Sequence, residues 1–275
     1  MTMEIYDSSV KQIPIISQIK AVYKSRSLLK ILIVRDLTVR YKRSVIGIWW
    51  SLLNPIVTTI VLFYVFNTVF RARMPDGTSF LPYLLSGVLI ITFFSQGLTA
   101  AADSIASSSG ILTKVYVRPE IFAFSATISS AINFCIGLIP LTAVLLISGK
   151  YPGLKSPLVL VVIFCMIMLT TGLGLLVAIA YINFDDSRSL IQIVLLMLTY
   201  MTPVFYPISV LGPNTLEVIK LNPLTSVLIV FRNVFGGNGG TGINMWLYMI
   251  GTSTITLLIG LFVFNRMWPK VVAKI

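Results

Sequence analysis

The sequence predicts an all-α membrane protein with six transmembrane helices. An amphipathic interface helix precedes them, a short cytoplasmic helix separates the second and third spans, and short re-entrant helices occupy the last external loop. Three observations carry this. Hydrophobic residues make up 56% of the 275-residue chain and charged residues only 11%, against roughly 25% charged in soluble domains. The apolar residues fall in long runs separated by short polar turns. The Lys and Arg residues fall unevenly on alternate sides of those runs.

Residues 1–27 are polar to mildly amphipathic, interrupted by Pro14, and read as a cytoplasmic tail. Residues 28–48 form the interface segment. On a helix, Ile31, Val34, Leu37, Tyr41 and Val45 share one face, and Arg35, Asp36, Lys42 and Arg43 fall opposite. Such a helix can lie along an anionic leaflet, apolar side down. An ordinary positive flank that only fixes topology fits the same spacing. Trp49 and Trp50 follow where an interfacial anchor belongs, and Asn54-Pro55 sits just inside the hydrocarbon.

The first span covers about residues 49–70, and its ~22 residues reach roughly 33 Å, enough for the hydrocarbon core. Pro75, Asp76 and Gly77 break the chain before the second span, 80–102. Residues 104–120 (SIASSSGILTKVYVRPE) break at the serine run, leave one or two helical turns, and restart at Arg118-Pro119-Glu120. That shape suits contact with a soluble partner; a plain connecting loop is the alternative. The third span covers 121–148 and the fourth 157–182. Asp185 and Asp186 follow at a span end, where solvated turn residues or a helix cap explain them better than a proton relay. The fifth span, 189–211, is interrupted by Pro203 and Pro207. Residues 212–244 form an external gate loop whose apolar piece, 224–235, is too short to cross a bilayer and is a candidate re-entrant helix. The sixth span covers 245–264, so residues 1–275 read as a single transmembrane domain.

Both termini are expected inside. That orientation places fifteen Lys and Arg on the cytoplasmic side and six outside. The excess of 21 basic over 9 acidic residues therefore reads as topology and anionic lipid, not nucleic acid. The polar start, with Glu4 and Asp7, does not fit a cleavable signal peptide.

Several chemistries are excluded. There is no histidine, and Cys135 and Cys165 lie in apolar runs, so neither a disulfide framework nor a His/Cys metal site is expected. No G-x-x-x-x-G-K-[ST] occurs, and no soluble region is large enough for a nucleotide-binding domain. Intramembrane charge is almost nil, which leaves an ion-coupled carrier without its usual groups. A membrane enzyme would need convergent acids, and the nine present sit mostly at loop edges. Aromatic residues are abundant: four Trp, eleven Tyr and sixteen Phe. Trp49, Trp50, Phe63, Tyr64, Tyr200, Phe205 and Tyr206 are candidates to line a path, since ring faces stack on sugar C–H surfaces. Interfacial belts and helix packing account for most of the others.

Together these features resemble the membrane (permease) subunit of type-2 ABC exporters for lipid-linked polysaccharide and polyol phosphate, a group covering O-antigen, capsule, teichoic acid and galactan exporters. RDLTVRYKRSVIGIWW (35–50) resembles the segment leading into the family's interface helix and first span, and LTKVYVRPEIF (112–122) its cytoplasmic coupling helix. TPVFYP (202–207) and NPLT (222–225), with Phe231-Arg232, resemble the external end and its gate helices. The likeness covers nearly the whole chain.

The resemblance implies a homodimer bound to two copies of a separate ABC ATPase subunit, which would carry ATP and Mg; no cofactor is expected on this chain. Thr113, Lys114, Tyr116, Arg118 and Glu120 would couple to the ATPase. Arg35, Arg40, Lys42 and Arg43 would meet a lipid pyrophosphate. Asn222, Pro223, Phe231 and Arg232 would form the external gate. A lipid-linked glycan would cross the inner or plasma membrane through a channel between two copies, lined by the first and fifth spans. An exporter of a drug or small lipid on the same fold is the alternative, and a membrane enzyme or ATP-independent flippase is a third.

Overall fold

The computed structural model describes residues 25–42, 47–69, 79–108, 110, 117–149, 151–153, 155–236 and 242–272. Among them the chain is an all-α membrane protein without strands. Helix α1 is Arg26–Tyr41, and a 3-10 turn, Gly47–Trp49, leads into α2, Trp50–Tyr64, which continues as a π turn, Val65–Val69. Helix α3 is Phe80–Ala106, α4 Glu120–Ile147, α5 Val159–Asn183, α6 Ser187–Met201, α7 Pro213–Leu221, α8 Pro223–Gly236 and α9 Ile243–Val272.

Five of these helices are long and apolar enough to cross a membrane: α2 with its π extension, α3, α4, α5 with its preceding turn, and α9. Helix α6, over the expected fifth span, has 15 residues, which at 1.5 Å each reach only about 22 Å. Its end follows from Pro203. A proline offers no N–H to the helix ladder and forces the residue before it out of helical geometry. Thr202 is extended, with φ −91° and ψ 137°. Helices α7 and α8 make a pair bent by 96° at Asn222. Asn222 builds the bend: its Oδ1 accepts from Leu224 N at 3.0 Å, and Pro223 opens α8, where a missing N–H is harmless.

Lipid tails are as apolar as the helices, so contact between spans rests on close packing and buried hydrogen bonds. The closest approach joins α5 and α9. A Cβ on Gly260 would lie 2.3 Å from the Gly172 carbonyl oxygen, and one on Gly172 would lie 2.5 Å from that of Thr256. Thr127 and Thr171 share a 2.9 Å hydrogen bond between α4 and α5. Two apolar clusters result. One gathers Phe93, Phe134, Met166 and Phe231 around α3, α4, α5 and α8. The other, toward the Asp103 end of α3, gathers Ile105, Ile121, Leu175 and Phe264, and receives Leu32 of α1. Helix α3 is the most enclosed span and α2 the least.

Ile31 and Val34 of α1 point away from the chain, as a side laid along a leaflet would, while Leu32 is 5% exposed and packs inward. Asp36, expected on the solvated side, faces α4, where Ser125 Oγ lies 3.5 Å from its Oδ2. Span three carries Ser125, Ser129 and Asn133 at four-residue spacing. That polar stripe attracts the polar edge of α1 and turns its apolar edge outward.

Candidate translocation path and gate

Three helices present mixed polar and aromatic faces away from the chain's own core. Helix α2 exposes Asn54, Thr58 and Tyr64 among Val57, Ile60 and Val61. Helix α6 exposes Ser189, Gln192 and Tyr200, with only Ser187 and Leu195 buried. The third face was missed in the sequence reading. Thr92, Gln96, Thr99 and Asp103 of α3 repeat at four, three and four residues, so they lie in one row, all partly or fully exposed. The signal was present as a polar row with helical period inside an apolar span.

Trp49, Trp50, Tyr64 and Tyr200 are exposed, and Phe63, Phe205 and Tyr206 half-buried. The structure joins Tyr200 and Phe205, 5.8 Å between ring centroids, to Phe66 at 6.3 Å, and Phe66 to Phe80 at 5.9 Å. Phe80 in turn stacks on Tyr83 at 6.1 Å. A continuous row of rings therefore joins the C-terminal ends of α2 and α6 to the N-terminal end of α3. Tyr206 donates from its hydroxyl to Tyr200 O at 3.1 Å. Trp49, Trp50 and Phe63 stand apart from this row.

The expected gate residues form a fastening. The Arg232 guanidinium donates to Ser86 Oγ at 3.1 Å, Pro203 O at 2.8 Å, Tyr83 O at 3.0 Å and Val204 O at 3.3 Å. It lies over the Tyr83 ring, 3.5 Å from the centroid. Tyr83 Oη donates to Tyr206 O at 2.7 Å and Pro203 O at 3.2 Å. The Arg232 charge is thus held by oxygen dipoles and a ring face, and among the described residues no acid pairs with it. Asn222 Nδ2 donates to Thr202 Oγ1 at 3.0 Å, which donates to Leu198 O at 2.7 Å. These bonds tie α8 and the bend to α3 and to the end of α6. Pro223 starts α8, and Phe231 is fully buried against Phe134 at 5.5 Å and Phe235 at 5.6 Å.

At the other end, Tyr41 Oη donates to Asn133 Oδ1 at 2.6 Å and shares a hydrogen bond with Ser51, so one phenol links α1, α2 and α4. Arg35 pairs with Asp36 at 3.0 Å. Arg40 and Lys42 are exposed and form no ion pair among the described residues. Arg188, at the start of α6, pairs with Asp103 at 3.1 Å and lies 5.4 Å from the Tyr181 ring centroid. Arg118 is half-exposed. Glu120 is 4% exposed, and its Oε2 has no hydrogen-bond partner among the described residues. Arg43, Thr113, Lys114 and Tyr116 lie outside the described residues. Among the described residues, no three His, Cys, Asp or Glu side chains converge as a metal ion would need.

The chain is 28% identical over 220 residues to the O-antigen export system permease protein RfbA of Myxococcus xanthus, covering 79% of this chain and 83% of that one. It is 24% identical over 256 residues to the RfbA protein of Klebsiella pneumoniae, covering 90% and 96%. The polysialic acid transport protein KpsM of Escherichia coli is 23% identical over 236 residues, covering 85% and 91%. The sequence model of the ABC-2 type transporters matches residues 27–236, from α1 through the end of α8. With that match spanning both the polar faces and the fastening at Arg232, the chain belongs to the ABC-2 type transporter family.

Proposed function

We propose that this chain is the membrane subunit of an ATP-driven exporter that moves a lipid-linked polysaccharide across the inner or plasma membrane. Two copies form the channel, and two copies of a separate ATPase chain bind ATP and Mg. The observation that carries the reading is the mixed face of α2, α3 and α6. Asn54, Thr58, Gln96 and Gln192 would each lose hydrogen bonds in hydrocarbon, at about 1–3 kcal/mol per group. Against a water-filled path between two copies they keep them, and Tyr64 and Tyr200 offer ring faces to passing sugars. The relatives' names, which concern O-antigen and polysialic acid, favour a glycan over a drug or small lipid. Both termini face the cytoplasm in this reading. The Asp103–Arg188 end then meets the ATPase through the segment around Arg118, and Arg35, Arg40, Lys42 and Arg43 meet the carrier's pyrophosphate. The Arg232 end is external.

Depletion of the protein, followed by fractionation of lipid-linked glycans, tests this. Accumulation of one long glycan on the cytoplasmic side is expected. No accumulation, with altered sensitivity to small amphiphiles instead, overturns it.

A further inference from the structure

Where α1 ends and α2 begins, a cavity of about 240 Å3 opens among α1, α2, α3 and α4. Its wall leaves several donors unused. Most span hydroxyls bond back to a carbonyl one turn earlier, as Thr99 does to Ser95 O at 2.9 Å and Ser130 to Ala126 O at 3.0 Å. Thr92, on this wall, makes no such bond, and among the described residues the Gln96 amide and the Arg40 guanidinium have no partner either. Asn133 Nδ2 is buried without one. Its Oδ1 is held by Tyr41, which sets the amide's orientation. Trp50 and Asn54 complete the rim, and among the described residues no Asp or Glu lines the cavity.

This combination selects a ligand by chemistry. A wall without carboxylates carries no countercharge for a cation. One free guanidinium suits a single anionic group. Unused amide and hydroxyl donors beside an indole suit a ring of hydroxyls with an apolar face. The volume lies below the ~300 Å3 lower range of pockets for drug-sized ligands, and so fits one ring and not an oligosaccharide. Asn54 and Gln96 are exposed as well as cavity-lining, so the cavity opens onto the mixed face of α2 and α3.

We propose that this cavity binds a single sugar ring carrying a phosphate, with Arg40 on the phosphate and the Asn54, Gln96 and Asn133 amides on the ring. The assignment rests on the export reading for its biological setting, because both a glycan carrier's first sugar diphosphate and a phosphoinositol headgroup present this chemistry. Calorimetric titration of the full-length protein in detergent, purified with whatever chains accompany it, uses farnesyl diphospho-N-acetylglucosamine as probe. Saturable binding is expected. Farnesyl diphosphate without the sugar should bind at least tenfold more weakly, as should the full probe to the Asn54→Leu/Gln96→Leu variant or to Arg40→Gln. These three side chains are exposed, so the variants keep the packing, and an unchanged melting temperature verifies it. Equal binding of the sugar-free diphosphate, or affinity within twofold in the double variant, overturns the proposal. Lysophosphatidylinositol identifies the source. If it binds more tightly than the diphospho-sugar and is lost in the same variant, the site holds a phospholipid headgroup; the reverse order assigns the glycan carrier. Both orders uphold the site. The titration requires no transport, so its failure leaves the export reading intact, and failure of the depletion experiment leaves the titration intact.

Discussion

Replacing Arg232 by methionine should measurably loosen the end of the bundle where α8 meets α3 and the end of α6. Methionine retains most of the packing of the arginine stem and removes every donor. Two of the four acceptors keep another partner: Pro203 O still receives Tyr83 Oη, and Tyr83 O still receives Ser86 Oγ at 2.7 Å. Val204 O, whose one hydrogen-bond partner among the described residues is Arg232, is left unsatisfied, at a cost of about 1–3 kcal/mol. Loss of the contact with the Tyr83 ring adds about 1–2 kcal/mol at a partly desolvated site. A total near 2–5 kcal/mol corresponds to a fall in melting temperature of roughly 5–15 °C for a chain of this size. Lysine restores charge but not the planar fork, so Arg232→Lys should recover less than half of the loss. Intrinsic-fluorescence melting of detergent-purified protein reads both values, and proteolysis near residues 203–222 should rise in parallel. If both variants melt within about 2 °C of the parent and the segment stays protected, the fastening has been misjudged.

Gly260→Val places a branched side chain where even a Cβ would lie 2.3 Å from the Gly172 carbonyl; monodisperse protein should not be recovered in size-exclusion chromatography, whereas Gly251→Ala, with nothing within 4 Å, should behave as the parent. Asn222→Ala removes both the cap on Leu224 N and the bridge to Thr202, and should lower stability by about 1–2 kcal/mol, read as a melting shift smaller than that of Arg232→Met. The double change Tyr64→Ala/Tyr200→Ala touches exposed rings only. It should reduce glycan export in complemented cells while leaving the melting temperature and basal ATP hydrolysis unaltered; undiminished export removes the stacking role.

Wherever one strong local rule acts alone, the fold was legible in the sequence. Span-length apolar runs show as α2, α3, α4, α5 and α9. The proline of TPVFYP marks the end of the fifth helix, although the reading carried that span to residue 211 and α6 stops at Met201. Apolar content gave the expected length, and the ladder ends where Pro203 removes a donor. The outward apolar side of α1, with Ile31 and Val34, was legible, but the place of Asp36 was not, because a helical wheel weighs a helix against water or lipid. The partner here is another helix whose own surface is polar at Ser125 and Asn133, and α1 turns its polar edge to it.

The site residues divide along the same line. Asn222 and Pro223 carry their roles in local chemistry, a cap followed by a proline, and the NPLT motif exposes both. Arg232 reads in the sequence as a charge in an external loop. Its partners lie 28 to 149 residues away, so nothing near it in sequence announces a fastening. Phe231, its neighbour, turns into the core against Phe134, which separates two adjacent residues into packing and anchoring roles that a motif treats as one. The polar row on α3 shows the converse case. Thr92, Gln96, Thr99 and Asp103 could have been found from period alone, but an apolar run invites a search for length and not for the side that breaks it. In a bilayer that side is the informative one. An apolar face has lipid as a default neighbour, whereas a polar face requires water, a ligand or a second chain, and on α3 it runs from the cavity beside Arg40 to the ion pair with Arg188.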